Sequence, residues 1–180
     1  MKILKTLTKC TTVALAYLVA FTMNASAQGS KLTDPEIASV AVTANQIDIN
    51  NAAIAKEKSK NTEVLKFAET MANDHKAVID QAVALVTKLK VTPKDNAVSK
   101  KLNADAKKTQ TGLRQKSGKA FDKAYVDNEV AYHKAVIAAI EGTLIPDAQN
   151  AELKELLVKV LPAFKTHLEH AEMLQKELSK

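Results

Sequence analysis

The chain has 180 residues and a formal net charge of +6, with 46% hydrophobic residues, four glycines, four prolines, one cysteine and no tryptophan. That length holds one domain with a sizeable core. Abundant Ala, Lys, Leu and Val, few glycines and no convincing period-two alternation exclude a sheet-rich fold and point to an all-α protein.

The first 27 residues read as a cleaved signal peptide, and 28–180 as a single helical domain. Lys2, Lys5 and Lys9 precede an apolar run, which ends at Ala25-Ser26-Ala27, an A-x-A cleavage signature. The run from Cys10 to Met23, about 14 residues, is short for a membrane anchor, and no later stretch is apolar enough to span. A periplasmic or secreted, non-transmembrane protein is therefore expected. Cys10 lies inside the leader, so the mature chain has no thiol and no disulfide. Three of the 26 basic residues and none of the 20 acidic ones fall in the leader, leaving 23 against 20, a net +3.

The first helix opens at "LTDPEIASV", where Thr33 and Asp34 suit the N-cap, Pro35 the first turn and Glu36 a capping box; it runs to about Lys58. A turn at "SKNT" leads to a second helix from about Thr62 to Lys90, broken by Pro93. A lysine-rich helix from Ala97 to Lys116 has only a thin apolar stripe of Val98, Leu102 and Leu113. After Ser117-Gly118 the next helix runs from about Lys119 to Thr143. "LIPDAQN" reads as a loop with Asp147 or Asn150 as the following N-cap, and the last helix fills Ala151 to Leu178, with Pro162 expected to kink it or remove a hydrogen bond. Four long amphipathic helices with short connections suggest an antiparallel four-helix bundle, with the 97–116 helix as an addition.

The seams of these helices carry unexpected polar residues. The second reads Val64, Ala68, Met71, His75, Val78, Ala82, Leu85 and Leu89. The fourth reads Val126, Glu129, His133, Val136 and Ile140, and the last Leu153, Leu157, Val160, Phe164, His167, Ala171, Leu174 and Leu178. The first reads Ile37, Ala41, Ala44, Asp48, Asn51 and Ala55. Three of the four histidines thus lie on core stripes of three helices, and His170 follows His167 by one turn. In an antiparallel pair Asp48 lies about 12 residues before its turn and His75 about 15 after it, a difference of about 5 Å in height. Glu129 and His167 are similarly matched across the later loop. All five residues converge on one layer.

Burying three imidazoles and two carboxylates costs several kcal/mol unless something compensates. One compensation is a bound cation with His75, His133, His167, Glu129 and Asp48 as ligands. The other is a hydrogen-bonded network without metal. No Glu-x-x-His occurs, which argues against a di-iron centre. A mononuclear site of three nitrogens and an oxygen suits zinc or cupric copper, and Met71, one turn before His75, offers a thioether that would favour copper.

The chain resembles the secreted bacterial family catalogued as domain of unknown function 4142, whose members are often labelled outer membrane proteins. The resemblance rests on "TANQIDINNAAIAKEKSKNTEVLKFAETMANDHKAV", "FDKAYVDNEVAYHKAVI" and "LVKVLPAFKTHLEHAEML". The family's hallmarks fall on Met71, Asp74 and His75; on Phe121, Asp122, Tyr125 and His133; and on His167 and Ala171. It implies a ferritin-like fold and secretion, and no particular activity.

Eight basic residues from Lys100 to Lys123 face two acidic ones, Asp105 and Asp122, so the 97–125 segment could dock on an anionic envelope surface. Few aromatics and the leader argue against nucleic acid. The mature chain lacks a cysteine nucleophile, a Gly-x-Ser-x-Gly and a glycine-rich phosphate loop. Only His133 with Glu129 resembles a general base and its orienter, and a packed seam offers it no cleft. Two functions of different class remain: a metal-binding bundle for storage, buffering or sensing, or a non-catalytic envelope or stress protein that binds a partner.

Overall fold

The computed structural model describes residues 31–180. The expected leader lies outside the described residues. Within them there is no strand, and six helices follow one another: α1 (Asp34–Lys58), α2 (Thr62–Lys88), α3 (Ala97–Arg114), α4 (Gly118–Ala139), the short α5 (Ile145–Asp147) and α6 (Ala151–Leu178). No helix among them is long and apolar enough to cross a membrane.

Side-chain caps explain most of the boundaries. The Thr33 amide donates to Glu36 Oε2 at 3.0 Å, closing the expected capping box. Asn61, Asn96 and Asn150 each accept backbone N–H groups at the starts of α2, α3 and α6. Asn150 is thus the N-cap of α6. Asp147 instead accepts the Leu32 amide at 3.0 Å and ties the chain's entry to the far loop.

Some boundaries depart from expectation, and Pro162 behaves as expected. Helix α2 stops at Lys88, two residues early, because Lys90 turns into the left-handed region at φ 54° and the Val91 amide reaches back to the Val86 carbonyl. Where the sequence predicts an α-helix to about Thr143 and then a loop, Ile140–Leu144 is a π turn that carries the chain into α5. Pro146 has no N–H to continue an α ladder, and the wider turn keeps Ile140 and Leu144 buried. Pro162 sits inside a continuous α6. The carbonyl that loses its donor belongs to Val158, which is 52% exposed, so water can replace the bond.

Polar pairings give the helix directions. Asp74–His167, Lys159–Gln81 and Lys88–Glu152 step in opposite directions along α2 and α6. Lys134–Glu172 and Glu141–Lys165 do the same for α4 and α6. Both pairs of helices are antiparallel, and the three-residue turn after Lys58 makes α1 and α2 so too. Packing joins α1 to α2, α2 to α6, α6 to α4 and α4 to α1, while α3 lies on α1 and α4. The links Ser39–Asp95, Asn51–Gln110 and Glu57–Arg114 keep step along α1 and α3, which run parallel.

The core forms two apolar clusters. One, near the α1–α2 turn, holds Phe67, Met71, Phe121, Tyr125 and Leu174. The other, toward the start of α1, holds Ile37, Ile140, Leu144, Leu157 and Phe164. Between them lies the polar layer.

The lysine-rich α3 is more firmly seated than its stripe suggests. Ser99 and Leu113 are buried, the latter to 3% exposure. Leu113→Ala is expected to cost about 2–5 kcal/mol. Reversing the exposed Lys100 and Lys107 is expected to change stability by no more than about 0.5 kcal/mol each. Paired urea titrations check both; equal midpoints for the two variants would show that α3 contributes nothing to the core.

Candidate metal centre

Each histidine is aimed by the helix that carries it and fixed by a partner on its outer nitrogen. His75 Nδ1 lies 2.8 Å from Asn45 Oδ1. The Asn45 amide nitrogen donates to the Ala41 carbonyl at 2.8 Å, which sets the amide's orientation. His75 must therefore donate from Nδ1, and its Nε2 carries the lone pair. His133 Nδ1 donates to the Glu129 carbonyl, one turn back, at 3.0 Å, leaving the lone pair on its Nε2. His167 Nε2 donates to Asp74 Oδ2 at 2.9 Å, leaving the lone pair on Nδ1. Those three remaining nitrogens are buried and have no hydrogen-bond partner in the protein.

They meet. One nitrogen each from His75, His133 and His167 lie within 4.8 Å of one another. The rings are 5.3–5.5 Å apart between centroids. Asp48 Oδ2 is 3.4 Å from His75 Nε2 and 3.7 Å from His133 Nε2. Two ligands each about 2.0–2.1 Å from a tetrahedral zinc stand about 3.3–3.4 Å apart, so these separations need little adjustment around an ion. Asp48, Glu129 and His133 form a second, overlapping group within the same 4.8 Å limit. Neither oxygen of Asp48 nor Oε2 of Glu129 finds a donor when both carboxyls are ionised.

The layer is buried, and that sets its charges. Burial pushes the His75 imidazolium down to about 3, and the neighbouring His167 adds to the effect. Burial takes His133 down to about 4, against the pull of the Asp48 carboxylate. Both rings are neutral at pH 7 and can ligate. Burial and then the Asp48 charge raise Glu129 well above the usual carboxylate range. Asp48 is raised too, chiefly by burial, with His133 opposing. Glu129 is pushed up the further of the two, and in its protonated form it would offer the Asp48 carboxylate a donor.

These shifts pull stability in opposite directions with pH. A histidine depressed in the folded state binds its proton first in the unfolded state, so it costs stability as pH falls below about 6.5. A carboxyl raised in the folded state stabilises at low pH and loses that contribution as pH rises above about 4.3. Between about pH 4.3 and 6.5 the two compensate. Metal-free Glu129→Gln should therefore lose stability on acidification more steeply than the wild type, by up to about 1.4 kcal/mol per pH unit. Chemical denaturation at pH 7 and pH 5 measures this, and parallel slopes would show that Glu129 holds no extra proton.

All five seam residues named from the sequence thus come together. Asp74, one of the hallmark residues and the candidate for an outer role in the site, serves from outside the layer, its side chain 51% exposed and holding His167. His170 does not join: its ring stands edge-on to Phe67 at 5.1 Å. Met71 does not join the polar layer either; it is wholly buried in the apolar cluster near the α1–α2 turn. Sequence reasoning missed Asn45, which orients His75, and Tyr132, whose hydroxyl donates to the Ala44 carbonyl at 2.8 Å. It also gave no role to Asn51, which accepts from Gln110 at 3.2 Å and so links α3 to the layer.

The Phe-Asp-x-x-Tyr hallmark proves architectural. Phe121 and Tyr125 stack with their planes 2° apart, and Asp122 accepts from the Ser59 hydroxyl at 2.6 Å in the α1–α2 turn. A family model described as domain of unknown function (DUF4142) matches residues 19–174. The chain belongs to this family. In this DUF4142 protein the match spans every helix that supplies a residue to the polar layer. No curated protein and no solved structure matches the chain.

Proposed function

We propose that this DUF4142 protein is a ferritin-like four-helix bundle that holds a single transition-metal ion, zinc or cupric copper, for storage, buffering or sensing. The cyclic packing of α1, α2, α6 and α4, with α3 as a helical crossover, supports the bundle. One observation carries the metal: three buried imidazole nitrogens converge, each with its opposite nitrogen committed to a carbonyl, amide or carboxylate oxygen. Such outer partners set ring orientation and tautomer in metal-binding histidines. Asp48 is the natural fourth ligand and offsets part of the ion's charge. Three nitrogens and one oxygen favour zinc or cupric copper over iron, magnesium or calcium.

Elemental analysis of protein purified without chelators tests this directly. About one equivalent of zinc or copper is expected. A protein that neither retains these metals nor gains thermal stability from them would instead be a hydrogen-bonded core in an interaction protein.

The proposed site of action is the periplasm or the extracellular space. Intact mass of the exported protein should place Gln28 at or near its N-terminus, and an exported pool that keeps Met1 would refute this. The exposed lysines of α3 support docking on an anionic surface. The Lys100/Lys107 reversal described above should weaken binding to anionic vesicles without unfolding the protein.

A further inference from the structure

An ion that reaches the histidine layer must come in from water, and the bundle offers few routes. On two sides the layer is closed by the apolar clusters, which a cation does not cross readily. That leaves the four seams between neighbouring helices. Across the α1–α4 seam Tyr132 donates to the Ala44 carbonyl at 2.8 Å, and α3 lies over it with Gln110 donating to Asn51. The α1–α2 seam is closed by the buried Asn45, bonded to His75. In the α4–α6 seam Lys134–Glu172 and Lys165–Glu141 bridge the helices at 2.7 and 2.8 Å, so both carboxylates there are already committed to lysines.

The α2–α6 seam is different. At the height of the layer it carries Asp74, whose side chain is 51% exposed and whose partner is His167 Nε2 at 2.9 Å. Among the described residues no lysine or arginine pairs with it. The three histidines also differ in what their release costs. Freeing His75 strips a hydrogen bond from the buried Asn45, and freeing His133 strips one from the Glu129 carbonyl. In both cases buried polar groups lose a partner with no water at hand to replace it. Freeing His167 breaks a bond to a carboxylate already at the surface, and water takes the ring's place there. His167 is therefore the ligand that turns at least cost, and it turns toward an exposed negative charge.

We infer that the α2–α6 seam is the ion's way in and out, with Asp74 as its landing point and the His167 ring as the door. This rests on the metal-binding function proposed above. His75, His133 and Asp48 form the fixed inner part of the site. A cation in water meets the Asp74 carboxylate first, the His167 ring swings out to let it pass, and the ring then returns with Nδ1 on the ion and Nε2–H on Asp74. His167 closes last on capture and leaves first on release. One carboxylate thus does two separable things: its charge speeds capture, and its hydrogen bond slows release.

The test is stopped-flow kinetics of the full mature protein with zinc. Capture is read as zinc is drawn from a weak fluorescent indicator, and release as zinc passes to an excess of a strong chromophoric chelator. Asp74→Asn keeps a hydrogen-bond acceptor for His167 and loses the charge. Its capture should be about threefold slower or more at low salt, and the gap to the wild type should close as salt is raised. Asp74→Glu keeps the charge and should capture zinc at close to the wild-type rate. Asp74→Ala loses the tether as well and should release zinc about tenfold faster or more. Glu141→Gln removes an exposed carboxylate from the α4–α6 seam and should change neither rate. All four substitutions lie at the surface, where folding tolerates them. Capture by Asp74→Asn at the wild-type rate overturns the inference, and so does unchanged release from Asp74→Ala. Equal slowing by Glu141→Gln also overturns it, because net charge alone would then explain the effect. Zinc bound with those rates unmoved removes the door and leaves the site; a wild-type protein that takes up no zinc removes both.

Discussion

His133→Ala is expected to abolish the stabilisation that zinc or cupric ion gives the wild-type protein. An ion that binds only the folded state adds about 2.7 kcal/mol when present at 100 times its dissociation constant. For a domain of this size that corresponds to a rise of roughly 5–10 °C in melting temperature. His133 belongs to both overlapping ligand groups, the one with His75 and His167 and the one with Asp48 and Glu129. No other residue does, so its loss removes a ligand from either arrangement. His170→Ala is the matched control, because that ring packs on Phe67 outside the layer. Scanning calorimetry with and without zinc reads the result. A zinc-induced rise that survives in His133→Ala, or disappears in His170→Ala, would refute the assignment. Acid should mimic the loss only well below the ordinary imidazole range: as pH falls toward the depressed values of His133 and His75, about 4 and about 3, protons compete for the ligands and the zinc-induced rise should shrink.

The candidate site was legible in the sequence because helical periodicity is a strong constraint. Once Ala68, Met71 and Ala82 mark the inner face of α2, His75 has nowhere else to point. The same holds for Asp48, Glu129, His133 and His167 on their own helices. Height followed from the rise per residue and the antiparallel order. Asn45 was not legible. It lies three residues before Asp48, at the edge of the stripe, and its importance depends on the rotation of the His75 ring. No spacing rule encodes that rotation.

Other features were hidden for related reasons. The π turn after Ala139 depends on Pro146 acting together with the burial of Ile140 and Leu144, and a helical pattern cannot reveal a hydrogen bond one residue longer than usual. The seating of α3 depends on single links such as Gln110 to Asn51 and Arg114 to Glu57, from residues that look like surface in the sequence. Hardest of all to foresee is the cavity of about 110 Å³ lined by Ala41, Ala44, Ala82, Ala135 and Ala139, because it is a difference between the space enclosed by five helices and the side chains that enter it, and each alanine alone is an ordinary helix former.

Asp48→Asn separates the two explanations of the polar layer by the sign of its effect. Asp48 is completely buried, and even a protonated Glu129 can satisfy only one of its oxygens, no other protein donor reaching either. Its charge is therefore costly in the metal-free protein. Asparagine has nearly the same shape, carries no charge, and offers N–H groups toward the lone pairs of His75 and His133, now 3.4 and 3.7 Å away. The metal-free variant should be more stable than the wild type at pH 7 by about 1–3 kcal/mol, several degrees in melting temperature. With zinc the order should reverse. The carboxylate that burdens the metal-free layer is the ligand that neutralises part of the ion, and the amide replaces it poorly. Melting curves of both proteins, with zinc and with chelator, should therefore cross in rank. If the metal-free variant is less stable than the wild type and zinc stabilises both equally, the carboxylate is already satisfied by its neighbours. The layer would then be a proton-sharing network, held together without an ion.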